Sequence, residues 1–379
     1  MIYLDYNATT PLAPEAMRAM LPFLEQHYGN PSSIHAAGRE TRAAIDDARD
    51  RMAHLLGVKP HEIIFTGGGT ESDNLAVIGL ARSHSTRGKH LITSTTEHHA
   101  VLHAFEHLQK REGFAVTWLA VDARGRVDLQ QLADAITPAT TLVSIMSANN
   151  ETGTLQPVHE AARICRERGV FFHSDMIQSF GKEAIDAREF DAISLAAHKF
   201  HGPKGAGVLY LRSGVPIERL HFGGSHESER RAGTENVAAI AGMVAAAELA
   251  VRDIAAEQAR QALLRDRLWQ GIAALFPAAV MNGAPDARLA NTLNVSFPGL
   301  DGESLLMNLD LAGICASSGS ACMVGSIVPS HVLLAMGVAP EVAGATVRFS
   351  LGKETTAEEI ETALERMAEI FARLDSASV

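Results

Sequence analysis

Between residues 62 and 211, short runs of consecutive apolar residues alternate with longer stretches whose apolar positions recur every three to four residues. The short runs at 62–66, 90–93, 115–119, 141–146, 170–173, 192–195 and 207–211 predict strands, and the stretches at 70–84, 100–111, 129–136 and 158–168 predict the helices between them. Such alternation predicts an α/β fold around a largely parallel sheet, in which ligands gather beyond the carboxyl ends of the strands. From Asn236 to about Leu275 the chain is Ala-rich and nearly unbroken, long enough for one kinked helix or two in succession leading into a second domain. The expected division is a large domain of residues 14–254 and a smaller α+β domain of residues 1–13 and 255–379, the N-terminal arm folding onto the latter. No internal repeat, low-complexity segment or flexible linker is evident.

At 379 residues, 46% of them hydrophobic, the chain is long enough for about two buried cores. Its formal charge of 33 minus 44, or −11, without an extended Lys/Arg run, argues against nucleic acid as a partner. The start, Met1-Ile2-Tyr3-Leu4-Asp5, lacks the pattern of a signal peptide, and the richest apolar stretch, 237–247, is too short to span a bilayer, which needs about 20 residues. A membrane role is not expected and a cytoplasmic location is. Three cysteines, Cys165, Cys315 and Cys322, make no disulfide framework and fit a reducing compartment.

Candidate chemistry lies at the predicted strand ends. Lys199 stands in Ala197-His198-Lys199-Phe200-His201-Gly202-Pro203-Lys204-Gly205, just past a short apolar strand, and Asp175 ends another in Phe171-Phe172-His173-Ser174-Asp175-Met176-Ile177-Gln178. An amine and a carboxylate so placed suit a Schiff-base lysine and the anion for a pyridinium nitrogen, the two groups that pyridoxal phosphate requires. A buried Asp175 needs a cation or strong donors, although capping the next helix is its bland alternative. Gln178 reads either as a contact to the ring's phenolic oxygen or as a surface amide. Upstream, Gly67-Gly68-Gly69-Thr70 runs from a strand into a helix, where backbone amides and the helix N-terminus favour an anion; it is not a Walker A loop. His98, in Thr96-Glu97-His98-His99, opens a helix from which an imidazole stacks on a flat ring and exchanges protons. His99, His103 and His107 at i, i+4 and i+8 form a second pattern, either a metal face or a solvated helix face, with no further ligand to complete a metal set. Cys322 lies on a small, polar, glycine-punctuated loop and should be an exposed thiol, whereas Cys165 and Cys315 read as ordinary buried cysteines. Arg348, alone on the strand-like run Thr346-Val347-Arg348-Phe349-Ser350, suits bidentate capture of a carboxylate or a structural ion pair.

In this order the motifs resemble the cysteine desulfurases of the NifS/IscS type, fold-type I pyridoxal phosphate enzymes of aminotransferase class V. The likeness runs nearly end to end, through Tyr3-Leu4-Asp5-Tyr6-Asn7-Ala8-Thr9-Thr10-Pro11, Gly29-Asn30-Pro31-Ser32-Ser33, Gly69-Thr70-Glu71-Ser72-Asp73-Asn74, Thr96-Glu97-His98, Asn149-Asn150-Glu151-Thr152-Gly153, Asp175 with Gln178, His198-Lys199, Arg231-Ala232-Gly233-Thr234 and Ser317-Ser318-Gly319-Ser320-Ala321-Cys322. The resemblance implies that Lys199 forms the Schiff base, His98 stacks on the ring and Asp175 holds its nitrogen. It implies phosphate binding by the turn at Gly69, by Thr70 and by His198, joined by Thr234 of the partner subunit in a homodimer. Asn150 and Gln178 would contact the ring-oxygen side, and Arg348 with Asn150 the substrate carboxylate. L-cysteine would become L-alanine, with the sulfur left on Cys322 as a persulfide destined for a sulfur-acceptor or iron–sulfur scaffold protein. No intrinsic metal is implied, Cys322 being at most a transient iron–sulfur ligand.

Two departures stand out: Ala196 replaces a serine three residues before the lysine, which predicts a weaker hold on phosphate, and Met323, Val324 and Val328 make the cysteine loop more apolar. A selenocysteine lyase or related fold-type I lyase is the nearer alternative, a non-catalytic sulfur- or cluster-binding scaffold the farther one.

Overall fold

The computed structural model describes residues 1–318 and 329–377. Its strands are β1 (Ile2–Tyr3), β2 (Ile63–Thr66), β3 (His90–Ser94), β4 (Ala115–Leu119), β5 (Thr140–Ser144), β6 (Phe171–Asp175), β7 (Ala192–Ala196), β8 (Gly207–Leu211), β9 (Val280–Asn282), β10 (Thr292–Ser296), β11 (Ile314–Cys315) and β12 (Thr346–Ser350). The longer helices are α1 (Pro14–Glu25), α2 (Ala36–Leu56), α3 (Gly69–Ser83), α4 (His99–Glu112), α5 (Leu129–Ala135), α6 (Val158–Glu167), α7 (Val237–Val251), α8 (Ile254–Leu275) and α9 (Gly302–Leu311), then two short turns, α10 (His331–Ala335) and α11 (Pro340–Gly344), and the terminal α12 (Ala357–Ala377).

All seven strands expected between 62 and 211 form one sheet in the order β2-β8-β7-β6-β5-β3-β4. The pairings are parallel except at β8, which runs against both β2 and β7. Every residue of β2, β5, β7 and β8 is buried, as continuous apolar runs require when helices cover both faces of a sheet. The helices supply that cover through apolar stripes: α6 buries Val158, Ala161, Ala162 and Cys165, at i, i+3, i+4 and i+7. The Ala-rich stretch after Asn236 resolves into two helices, and α7 is buried along most of its length against α1 and α2.

Strand β6 runs two residues past its predicted end, through His173 to Asp175. Hydropathy stops at His173, yet the imidazole is fully buried between Ser144 Oγ, 2.8 Å from Nδ1, and Ser194 Oγ, 2.9 Å from Nε2. Neighbouring strands satisfy these polar groups, so the ladder continues to the carboxylate.

A second core gathers Ile2, Leu4, Leu268, Val295, Phe349 and Ile370 around the antiparallel sheet β12-β10-β9. The N-terminal arm joins this core, β1 pairing in parallel with β11.

Candidate active site

The strand ends converge on one groove. Lys199 closes a single 3₁₀ turn, Ala197–Lys199, directly after β7. The arm clamps this turn from outside: Thr10 N–H donates to the His198 carbonyl at 2.9 Å, and His201, held at φ +65°, donates its N–H to Thr10 Oγ1 at 2.8 Å. Such a left-handed conformation in a non-glycine residue persists only where surrounding contacts impose it. The Lys199 ammonium donates to the carbonyls of Asn7 at 2.6 Å and Ala8 at 2.9 Å. Asp175 ends the adjacent β6, its Oδ1 accepting from Ile177 N–H at 2.9 Å. Burial pushes its carboxyl above the ordinary range, while that N–H and Lys199 oppose the rise. Both face a cavity of about 320 Å³ whose wall also carries His98, Asn150, Gln178 and Arg348.

One end of this cavity opens over the glycine turn. Gly68 adopts φ +146° before α3, and a Cβ on Gly69 would lie 2.2 Å from Ile177 Cδ1, so a side chain there would have to displace the end of Ile177. The adjoining groove, about 750 Å³, shares Ala8, Gly69, Thr70 and His198 with the cavity and adds Lys204. A helix N-terminus, a hydroxyl, an imidazole and an ammonium thus surround one space, a setting for a phosphate. Lys204 had gone unremarked in the sequence, where its only signal is the Gly/Pro-rich run after Lys199. Ala196 lines the cavity close to Gly69, with a methyl where a hydroxyl would reach the same space.

His98 is the N-cap of α4, its Nδ1 accepting from Ala100 N–H at 3.1 Å, which leaves the proton of the neutral ring on Nε2. Burial first, then Lys199 and nearby imidazoles, pull its pKa down to about 4, so the ring is neutral at physiological pH. His198 is likewise lowered to about 4, by burial, Lys199 and Lys204. The His99 and His103 rings stack at 5.1 Å, with His331 4.7 Å from His99, while His107 pairs with Glu112. Among the described residues no group of His, Cys, Asp and Glu is disposed to hold a metal.

Arg348 enters from β12 of the other sheet. It pairs with Asp5 at 2.7 Å, donates to the Asn150 carbonyl at 3.0 Å, and keeps a buried Nε with no hydrogen-bond partner among the described residues. The structural ion pair is thus present, to Asp5, and the guanidinium also lines the cavity. Nothing local in the sequence connects Asp5 with a residue 343 positions further along the chain.

Thr234 is exposed and lines a different groove, with Asn30, Arg42 and His226, outside the cavity of its own Lys199. Cys165 is buried as expected, its thiol pushed up to about 12 chiefly by desolvation. Cys315, expected to be buried, is only partly so, because its two-residue strand lies at the edge beside β1. Cys322, Met323, Val324 and Val328 lie outside the described residues. The segment leading to them passes beside Arg348, with Ser317 and Arg348 exchanging backbone hydrogen bonds of 3.2 and 2.6 Å.

A largely parallel seven-stranded sheet with such a cavity at its carboxyl ends is the architecture of the fold-type I pyridoxal phosphate-dependent enzymes. The chain belongs to the aminotransferase class-V family, which it matches over residues 2–363, and within it to the cysteine desulfurases of the NifS/IscS type. Cysteine desulfurase IscS of Dictyoglomus turgidum is 47% identical, the alignment covering all of this chain and 96% of that protein. The structure of a NifS-like protein superimposes with a TM-score of 0.93 at 39% identity, over 98% of this chain and 100% of the other. The structure of SspA in complex with cysteine gives 0.82 at 36% identity, over 93% and 99% of the two chains.

Proposed function

We propose that this cavity is the working site of a pyridoxal phosphate-dependent cysteine desulfurase that converts L-cysteine to L-alanine and leaves the sulfur on Cys322. The observation that carries the reading is the convergence of Lys199, from the turn after β7, Asp175, from the end of β6, and Arg348, from β12 of another sheet, on one space. The space suits the cofactor. The Asp175 carboxyl, raised by burial, needs a cation opposite it, and a protonated ring nitrogen is one. The groove beside the Gly69 turn is open at a helix N-terminus, next to Thr70 and His198. His98 offers a neutral, flat ring face.

In this reading Lys199 anchors the cofactor, and Gly69, Thr70, His198 and Thr234 of the partner subunit hold its phosphate. Asn150 and Gln178 face the ring oxygen. The bound cofactor supplies an electron sink for charge developing at the substrate Cα. Arg348, with Asn150, orients the substrate carboxylate, and the Lys199 amine takes the Cα proton. The Cys322 thiolate attacks the substrate sulfur. An S–S bond forms as the Cβ–S bond breaks; the electron pair stays with carbon, which is protonated to alanine, and the persulfide remains on the enzyme. The dimer is supported by the exposed Ile34 and Phe222, 91% and 78% accessible, which lie in the segments flanking the Thr234 groove. The division at residue 254, delivery to a sulfur-acceptor or iron–sulfur scaffold protein, and a cytoplasmic location complete the proposal. Among the described residues no helix is long and apolar enough to cross a membrane.

The test is Cys322→Ser. With L-cysteine it should retain substrate binding but make almost no alanine, while Cys165→Ser and Cys315→Ser stay active. Wild-type protein treated with cysteine should carry one extra, reductant-labile sulfur on the Cys322 peptide. Undiminished alanine from Cys322→Ser would instead favour a lyase that expels sulfur without a protein nucleophile.

A further inference from the structure

A second lysine, which the sequence motifs did not single out, lines a small cavity together with Lys199. Lys182 follows Gln178 in the turn after β6, and its ammonium donates to Gln178 Oε1 at 3.2 Å and Asn7 Oδ1 at 3.3 Å. Asn7 is 1% exposed and all its polar groups are engaged. Its carbonyl accepts from Lys199 at 2.6 Å and from Gln178 Nε2 at 2.9 Å. Its Oδ1 accepts from Lys182 and, at 3.0 Å, from Asn291. Its Nδ2 donates to Thr292 Oγ1 at 2.9 Å and the Asn150 carbonyl at 3.2 Å, and its N–H donates to Ser350 Oγ at 2.9 Å. One immobilised residue therefore spaces the two amines.

Two consequences follow from what a lysine ammonium can do. It only donates, so Gln178 must turn its oxygen to Lys182 and its NH₂ to the Asn7 carbonyl, leaving one N–H of that amide for the cavity. And two ammonium groups on opposite acceptors of one buried asparagine repel each other, so each makes protonation of the other costlier.

We propose that Lys182 is a positioning residue for the Schiff-base lysine, acting through Asn7 and Gln178 to lower the proton affinity of Lys199 and to fix the direction of the Gln178 donor. A cavity of about 50 Å³, lined by Lys182 and Lys199 together with Tyr6, His201, Glu257 and Lys353, lies beside the pair and is large enough for water to exchange their protons. Burial first, then the Lys199 and Arg348 charges, with Glu183 opposing, draw the Lys182 pKa down, as expected of two neighbouring ammonium groups. The inference rests on the assignment of Lys199 as cofactor anchor.

The experiment compares wild type, Lys182→Met and the permanently cationic Lys182→Arg. In the apoprotein, competitive acetylation of Lys199 across pH, read by peptide mass spectrometry, should show midpoints in the order Arg variant, wild type, Met variant. The two variants should differ by about one pH unit, a tenfold change in proton affinity. The visible band of the cofactor-loaded proteins should titrate in the same order. A purely structural role would move both variants the same way, and that result, or coincident midpoints, overturns the proposal. If one variant does not fold, the other against wild type decides, Met having to raise the midpoint and Arg to lower it. Lys182→Gln replaces both if neither accumulates, and must raise it. Borohydride trapping of the cofactor on a residue other than Lys199 would instead refute the site assignment on which this rests.

Discussion

Asp175 and Lys199 are delivered by adjacent strands of one sheet, the first ending β6 and the second following β7 by a single turn. Arg348 reaches the same cavity from β12 of the other sheet, held by Asp5 of the N-terminal arm and by the Asn150 carbonyl after β5. The wall proposed for the cofactor is thus framed by one parallel register, with Asn7, Ala8 and Thr10 of the arm holding the Lys199 turn in place. The wall proposed for the substrate also needs the arm, and it alone adds a side chain from the small sheet. On the proposed reading, substitutions should separate the two walls by which step they impair.

The largest effect is expected on the cofactor wall. Lys199→Ala should lose the lysine-linked visible band and reduce alanine formation roughly 10⁴-fold, since it removes both anchor and proton carrier. Retention of that band would break the assignment. Asp175→Asn should keep the cofactor through the phosphate end but lower kcat roughly 10²- to 10³-fold, with a shifted absorbance, because a neutral amide cannot stabilise a ring cation. Wild-type turnover would deny that wall its electronic role.

On the substrate wall the expected change is smaller and of another kind. Arg348→Lys keeps the charge but loses the planar fork, so KM for L-cysteine should rise roughly 10- to 100-fold while cofactor content and spectrum stay unchanged. Loss of cofactor in this variant would show the two walls to be one unit. The smallest effect is electrostatic. With its folded pKa near 4, below the ordinary 6.5, His98 binds fewer protons in the folded protein than in the unfolded chain between those values. Stability from this residue is complete above about 6.5 and is lost as pH falls towards 4, at up to about 1.4 kcal/mol per pH unit for one proton. In the apoprotein, His98→Asn should therefore flatten the decline of Tm between pH 7 and 5, and an unchanged slope would contradict a neutral, desolvated ring.

Periodicity located every strand of the large sheet and the helices between, within a residue or two at most ends. The shifted ends are instructive: β6 continues past His173 to Ser174 and Asp175 because Ser144 and Ser194 on its neighbours pair with the imidazole, and no property of the segment itself records those partners. Cys315 was misjudged for a similar reason, since apolar neighbours in sequence do not reveal that its strand is an edge.

The sequence by itself determined what depends on neighbours along the chain. Strand and helix periods, the glycine turn into α3, the histidine cap of α4, and an amine and a carboxylate at strand ends all arise within a few residues, where backbone geometry links position to direction. Tertiary structure alone decided which distant groups share a space. Asp5 opposite Arg348, Lys204 beside the phosphate end, and Lys182 joined to Lys199 through Asn7 are separated by up to 343 residues in sequence. Their interactions fall steeply with distance and strengthen when water is excluded, and both quantities are fixed only when the sheets and the arm have packed.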